Sequence, residues 1–339
     1  MPLLKTLLSN LPSPYPLLLT TTLTTSTALL LSFLYLCRHP STLRHLTLLF
    51  CRKILRHTIP ISVNYYFTRK CNVSCKFCFH TETTSHTEPL PRAKEALSLL
   101  TTAGMRKLNF AGGEPFLYQK YPGELCQFAK QQLKLESVSI ASNGTKVTEK
   151  WIKEWGRYID ILAISCDSFI PETNARIGRM DRGTGTLFDN VKKLREIRGW
   201  CEKYGIKFKL NTVVCSVNWQ EGMVEQVKEL DRFRWKVFQV LVVAGENESE
   251  KRLRDARSTA VTDEQFEAFC ERHRGGKGFT PEPNSLMRES YLILDEYCRF
   301  LDPGYDGRGH SESILDVGVQ KALSQIHWDE EAFVQRGGL

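Results

Sequence analysis

The run Cys71-Asn72-Val73-Ser74-Cys75-Lys76-Phe77-Cys78-Phe79-His80 spaces three cysteines as C-x3-C-x2-C. Thiolates are soft ligands that suit zinc or iron–sulfur clusters. Three of them can hold three corners of a four-iron cluster and leave one iron without a protein ligand. An open position of that kind is what a reactive metal centre needs. The spacing differs from the C-x2-C-x2-C run of bacterial ferredoxins and the C-x4-C-x2-C of plant ones. Cys71, Cys75 and Cys78 are therefore the candidate metal ligands. The chain has 11 cysteines, and the other eight stand apart from one another. An odd, scattered set makes a poor disulfide framework, so they read as small buried hydrophobes in a reducing compartment.

Outward from the triplet, strand-like and helix-like segments alternate. Runs rich in β-branched and aromatic residues fall at 61–68, 107–111, 137–142, 159–165, 207–214 and 235–243. Between them, helical periodicity covers 92–103, 123–133, 149–156, 187–204 and 220–230. Gly104 and Gly205 sit where helices end. Six βα units predict a parallel sheet covered by helices, open or closed. From 245 the composition changes. A charged stretch at 246–257 is read as a solvated helix or loop, and Thr262-Asp263-Glu264-Gln265 has the look of a capping box. A loop is expected around 274–283, a short strand at 291–294 and a helix at 313–324. Three regions result: 1–60, 61–244 and 245–339.

Two further patterns carry chemistry. Ala111-Gly112-Gly113-Glu114-Pro115 follows the second strand, and its glycines would let the backbone approach a ligand closely. Ser142-Asn143-Gly144 and Ser165-Cys166-Asp167-Ser168 end the third and fourth strands, where parallel sheets bind ligands. Side chains at i and i+2 of a strand share a face. Lys107/Asn109, Lys209/Asn211 and Arg234/Lys236 are such polar pairs. Facing inward, their four cations would need a polyanionic ligand, for which a triphosphate is suitable, because unpaired buried charge is costly.

The formal net charge of +8 is placed unevenly. Residues 1–60 hold six Lys and Arg and no acid, leaving +2 for the rest. That distribution argues against a nucleic-acid-binding face. Residues 6–37 carry no charged side chain, and the unbroken run 17–37 would span about 31 Å as a helix. A cluster of Arg, His and Lys follows. A membrane-attached segment is expected, transmembrane or in the plane of the surface, with the later domain on the cytosolic side.

The cysteine triplet and the Gly-Gly-Glu-Pro turn closely resemble those of radical S-adenosylmethionine enzymes, which fold as a partial (β/α)6 barrel. The segments 71–81, 107–116, 163–169, 177–179, 209–211, 234–239, 245–247, 290–297, 313–319 and 336–338 resemble the viperin family within that superfamily. The resemblance runs from about 61 to the end. It implies a [4Fe–4S] cluster on Cys71, Cys75 and Cys78. It implies S-adenosylmethionine contacts from Gly112, Gly113, Glu114, Asn143, Ser168 and Arg179. Lys107, Asn109, Lys209, Asn211, Arg234 and Lys236 match the nucleotide-binding positions, and Tyr291 matches a tyrosine proposed to supply a final hydrogen.

The implied reaction is abstraction of the ribose 4′ hydrogen of CTP, or of UTP, by a 5′-deoxyadenosyl radical. Loss of the 3′ hydroxyl as water then gives a 3′-deoxy-3′,4′-didehydro nucleotide, a chain terminator in antiviral defence. Expected partners are the nucleotide, a membrane surface of the endoplasmic reticulum, the cytosolic iron–sulfur assembly machinery and an electron donor. The alternatives are a radical S-adenosylmethionine enzyme with another substrate, such as GTP, and a non-catalytic membrane scaffold. Cys270 and Cys298, isolated, do not supply the second cysteine cluster usual in the GTP enzymes. Two departures stand out. Ala111 replaces the family's usual serine, and the sequence stops at Leu339, where family members continue with a short aromatic- and lysine-containing tail. The resemblance thus implies a shortened or divergent C-terminus.

Overall fold

Strand β1 (Ser62–Tyr65) turns Val63 and Tyr65 toward helices and Ser62 and Asn64 toward the opposite face. The same alternation repeats along the sheet. The computed structural model describes residues 57–187, 189–302 and 309–338, and residues 58–338 form one compact unit. The expected membrane segment lies outside the described residues. Among the described residues no helix is long and apolar enough to cross a membrane.

After β1 come α1 (Leu90–Thr102), β2 (Lys107–Phe110), α2 (Lys120–Gln131), β3 (Ser137–Ser142), α3 (Glu149–Trp155) and β4 (Ile161–Ser165). Then follow α4 (Pro171–Ile177), α5 (Asn190–Lys203), β5 (Lys207–Val214), α6 (Val224–Glu229), β6 (Arg234–Gln239), α7 (Asp263–His273) and β7 (Phe279–Glu282). The chain ends with α8 (Asn284–Met287), β8 (Leu292–Leu294), β9 (Arg299–Leu301), β10 (His310–Ser313), α9 (Ile314–Val317), α10 (Val319–Leu323) and α11 (Glu330–Gln335). Helix α1 shows why such segments fold this way. Pro occupies its first turn, where no amide hydrogen is needed, and Ala93, Ala96, Leu97 and Leu100 bury one face at helical spacing. Each fully buried leucine contributes about 1.5–3 kcal/mol. The expected capping box is present: Gln265 N–H donates to Thr262 Oγ1 (3.2 Å) and Thr262 N–H to Gln265 Oε1 (3.0 Å).

The sheet has ten strands in the order β10-β9-β8-β1-β2-β3-β4-β5-β6-β7. Strands β8 and β1 to β7 run parallel to one another, and the pairs β8–β9 and β9–β10 are antiparallel. This is the α/β, mostly parallel arrangement that the alternation predicts. The region from 245 onward does more than pack on the sheet, because it supplies four of the strands. Phe279–Glu282, expected as loop, is a strand at the sheet's edge, where Pro281 costs no ladder bond. The helix expected at 313–324 is two short helices parted by Gly318, whose φ of 79° ends the first. Helix α4, between β4 and β5, was not expected; Pro171 starts it and Gly178 at φ 90° stops it.

One face of the sheet is apolar. Tyr65, Leu108, Phe110, Val138, Ile140, Leu162, Leu210 and Trp235 meet α1, α2, α5 and α7 there. The other face is unusual for a strand-and-helix fold, whose interior is normally filled by Val, Ile and Leu. Register puts Ala141, Ala163, Lys209 and Arg234 in one row, and Ser165, Asn211, Lys236 and Thr280 in the next row toward the strands' carboxyl ends. Small residues on β3 and β4 leave room beside cations on β5 and β6.

Candidate active site

The cysteine loop follows β1 at the carboxyl end of the sheet and is braced from three sides. On the first side, Gly113 N–H donates to Thr68 O (2.8 Å) and Glu114 N–H to Lys70 O (2.7 Å). A Cβ on Gly113 would lie 2.0 Å from Lys70 O, and one on Gly112, at φ +112°, 2.7 Å from Thr68 O. The close approach that these glycines permit is thus to the protein's own backbone entering the cysteine loop. On the second side, Lys76 N–H donates to Ile177 O (2.9 Å) and Arg182 N–H to Asn72 O (2.8 Å). A Cβ on Gly178 would lie 2.4 Å from Ser74 O. On the third side, fully buried Asn247 donates from Nδ2 to Phe77 O (3.0 Å).

Arg69, two residues before the first thiol, ties the loop's entrance to Glu246, after β6, and Glu296, after β8. It donates to Glu296 Oε1 (2.7 Å) and to Glu246 Oε2 and Oε1 (2.9 Å each). Glu114 is fully buried and accepts from Phe116 N–H (3.0 Å), Ser142 Oγ (2.8 Å) and Asn143 N–H (2.7 Å). Burial raises its pKa against those donors. Three donors leave one lone-pair site on the carboxylate for a ligand. Asn143 Nδ2 donates to Asn72 Oδ1 (3.0 Å) and lies 3.8 Å from Cys71 Sγ.

Cys71, Cys75 and Cys78 line one concavity with Arg69, His80 and Arg254. Burial pushes all three thiols up, Cys75 to about 11 although Arg179 opposes the rise. Three thiolates are therefore disfavoured there unless something cationic joins them, and metal loading would expel their protons. Among the described residues no three donors close on a single ion. Three thiols lining one concavity are a donor set whose chemistry suits a cluster with one iron left open.

Not every expected cofactor contact is free. Arg179 is buried and ion-paired with Asp167, whose Oδ1 also accepts from Val213 N–H (2.8 Å). Its charge still reaches Cys75. The Ser168 hydroxyl donates to Glu221 Oε2 (2.7 Å) and accepts from Ile170 N–H (2.9 Å).

The second group of expected residues gathers on the sheet's other face. Burial, then the charges of Lys236 and Arg234, push Lys209 down to about 7, partly offset by Glu282. Lys236 is ion-paired with Glu282 and donates to Tyr291 Oη (3.0 Å). Tyr291 Oη donates to Glu282 Oε2 (3.1 Å). The Arg336 guanidinium lies 3.7 Å from the Tyr291 ring centre, and its buried Nε has no acceptor. Asn211 Oδ1 is likewise buried without a partner. Lys107 Nζ donates to Gly338 O (3.2 Å). Asn109 donates to Asn64 Oδ1 (3.0 Å) and accepts from Ser139 Oγ (2.8 Å), so it belongs to a polar ladder across β1, β2 and β3.

Sequence reasoning missed Glu282, Arg69 and Glu221. Glu282 was hidden in Pro281-Glu282-Pro283, read as a loop. Arg336, Glu246 and Asn247 fell inside matching segments but had no role until their contacts were seen.

A parallel sheet with three thiols after its first strand and a glycine-braced turn after its second defines a radical S-adenosylmethionine enzyme, and the Radical SAM superfamily model matches residues 65–214. The fold agrees: the structure titled "Native anSMEcpe with bound AdoMet and Kp18Cys peptide" superposes with a TM-score of 0.60 at 14% identity, covering 81% of this chain and 82% of that one. The S-adenosylmethionine-dependent nucleotide dehydratase RSAD2 of Danio rerio is 51% identical over 283 residues, 83% of this chain and 78% of its own length. An S-adenosylmethionine-dependent nucleotide dehydratase of Lacinutrix mariniflava is 34% identical over 290 residues, 82% of this chain and 58% of its own length. The chain belongs to the S-adenosylmethionine-dependent nucleotide dehydratases, the viperin family. Its cofactors are a [4Fe–4S] cluster and S-adenosylmethionine.

Proposed function

We propose that this chain dehydrates a pyrimidine ribonucleoside triphosphate, CTP or UTP, to its 3′-deoxy-3′,4′-didehydro form. One observation carries the substrate class: Lys209, Arg234, Lys236 and Arg336 lie close enough for their charges to act on one another, with Glu282 as an acid that partly offsets them. A triphosphate supplies the missing negative charge. When bound, the cluster delivers the electron that cleaves S-adenosylmethionine and so makes the hydrogen-abstracting radical.

The protein's share is position and charge. Gly112, Gly113 and Glu114 fix the cysteine loop, and Asn143 and Arg179 stand beside it. Lys209 and Arg234, in the row farther from the cysteines, take the phosphates. That row spacing leaves Asn211 and Lys236 at the level of the ribose, between phosphates and cofactor, and Tyr291 joins them through the hydrogen bond it accepts from Lys236. In the same reading the sheet curves as a partial barrel, and residues from 245 onward close over the nucleotide. The segment 1–60 holds the chain on the endoplasmic reticulum with the domain in the cytosol. The charge-free stretch 6–37 and the basic residues after it support this. Iron–sulfur assembly factors and a one-electron donor are the implied protein partners.

The test is anaerobic reconstitution with iron, sulfide, dithionite and S-adenosylmethionine, adding CTP, UTP or GTP in turn. Release of 5′-deoxyadenosine with a dehydrated product that depends on CTP or UTP is expected. Stimulation by no nucleotide would overturn the reading. A non-catalytic scaffold would release no 5′-deoxyadenosine at all. Membrane fractionation of the full chain against a chain lacking 1–56 checks the attachment.

A further inference from the structure

The triangle Glu282–Lys236–Tyr291 is more than charge balance. Glu282 is 1% exposed, and each of its oxygens serves a different partner, Oε1 the Lys236 ammonium and Oε2 the Tyr291 phenol. The third side is closed by Lys236 Nζ donating to Tyr291 Oη at 3.0 Å. A simple counter-ion for four cations would have no need to bind a neutral phenol. The position is also specific. Lys236 pairs in register with Asn211 and Thr280, one row nearer the carboxyl ends than the Lys209–Arg234 row, and Glu282 pairs with Phe238 in the row after that, its carboxylate reaching back to Lys236. On the proposed function, which this inference rests on and deepens, the Lys236 row is the level of the ribose.

We propose that Glu282 is a proton relay between Tyr291 and Lys236. After the 4′ hydrogen has gone, the C3′–O bond breaks, and the Lys236 ammonium gives its proton to the departing hydroxide, forming water. Tyr291 gives one electron to the resulting ribose radical cation, which closes the C3′–C4′ double bond. Its phenolic proton passes to Glu282 Oε2, and from Glu282 Oε1 a proton returns to Lys236. The substrate thereby receives one proton and one electron, and Tyr291 has lost both. A one-electron reductant and a solvent proton restore the phenol. Glu282 is a positioning residue, because it acts through the two groups that meet the nucleotide.

Glu282→Gln preserves size and the hydrogen bond from Tyr291 but cannot carry the proton. In the reconstituted enzyme with CTP, 5′-deoxyadenosine release is expected to fall by less than about threefold. Dehydrated product should fall by about 100-fold, the range of general acid–base catalysis. Glu282→Asp should recover part of the product. A ratio of product to 5′-deoxyadenosine unchanged in Glu282→Gln would overturn the relay. A readout on the unloaded chain is independent of turnover: ultraviolet titration of Glu282→Gln with and without Tyr291→Phe should show Tyr291 ionising at lower pH than in the unsubstituted chain. Absence of that shift would also overturn it. Failure of the underlying function looks different, since the unsubstituted enzyme itself would then release no CTP-dependent 5′-deoxyadenosine, and the relay would fall with it.

Discussion

The two ends of the polar face are built in opposite ways. Around the cysteine loop the backbone is held by the protein itself, from the Gly113–Thr68 and Glu114–Lys70 amide bonds to the Asn247–Phe77 contact, while His80, Thr81 Oγ1 and Glu296 Oε2 keep buried polar atoms without a hydrogen-bond partner. On the Lys209–Arg234 row and the Asn211–Lys236 row next to it, cations crowd together, Arg336 Nε and Asn211 Oδ1 lack partners, and burial pushes the Lys209 ammonium down to about 7. The first region has its backbone fixed by the chain and leaves thiols and one Glu114 lone pair for its cofactors. The second is finished by what it binds. The contrast separates a scaffold for a permanent cofactor from a socket for a substrate that must enter and leave.

Substitutions should sort along that line. Cys75→Ala has the largest expected effect: loss of the cluster's visible absorbance on reconstitution and of all 5′-deoxyadenosine release. Gly113→Ala comes next, although it removes no ligand. Its Cβ would sit 2.0 Å from a backbone oxygen. A destabilisation of at least about 3 kcal/mol is expected in denaturant unfolding of the unloaded chain, with iron content falling in parallel. Tolerance of Gly113→Ala would break the picture of a backbone fixed by the chain.

Lys209→Ala should leave folding intact and weaken CTP binding by about 10- to 100-fold in calorimetry. The pH dependence has a definite sign. In the unloaded protein Lys209 is charged below about 7 and neutral above it. CTP favours the charged form, so affinity should weaken as pH rises through 7, with proton uptake on binding, and Lys209→Ala should lack both. Stability of the unloaded chain should rise from pH 7 upward, because the unfolded lysine stays protonated to about 10.4 while the folded one does not. The smallest effect is Asn109→Ala. It breaks the ladder to Asn64 and Ser139 and should cost about 1–2 kcal/mol in thermal or denaturant unfolding.

The same contrast decided what the sequence could show. The cofactor end was legible because its work is local: cysteine spacing and the Gly-Gly-Glu-Pro turn are contiguous, and strand alternation correctly put Lys209, Arg234 and Lys236 on one face. The glycines' real neighbour, the 68–70 backbone, lies some forty residues away and leaves no mark in the motif. Glu282 and Arg336 were missed for a similar reason. Their roles come from an edge strand and a terminal segment meeting Tyr291, and no periodicity encodes that meeting. Ser168 and Asn109, expected as ligand contacts by position, also hold protein partners that the sequence did not reveal, Glu221 and the Asn64–Ser139 ladder.

Strand β1 lies between β2 and β8, and Arg69 just beyond it is held by Glu246 and Glu296. Val63 faces Leu292 across the ladder, and Tyr66 N–H donates to Leu294 O (2.7 Å). During synthesis the cysteines leave the ribosome long before the strand that flanks them exists. The thiols therefore spend most of translation without β8 beside them, and iron insertion is expected to wait for the released chain. Arrested nascent chains ending before Leu292 should carry no cluster, and retention of iron by such chains would show that the frame assembles without β8.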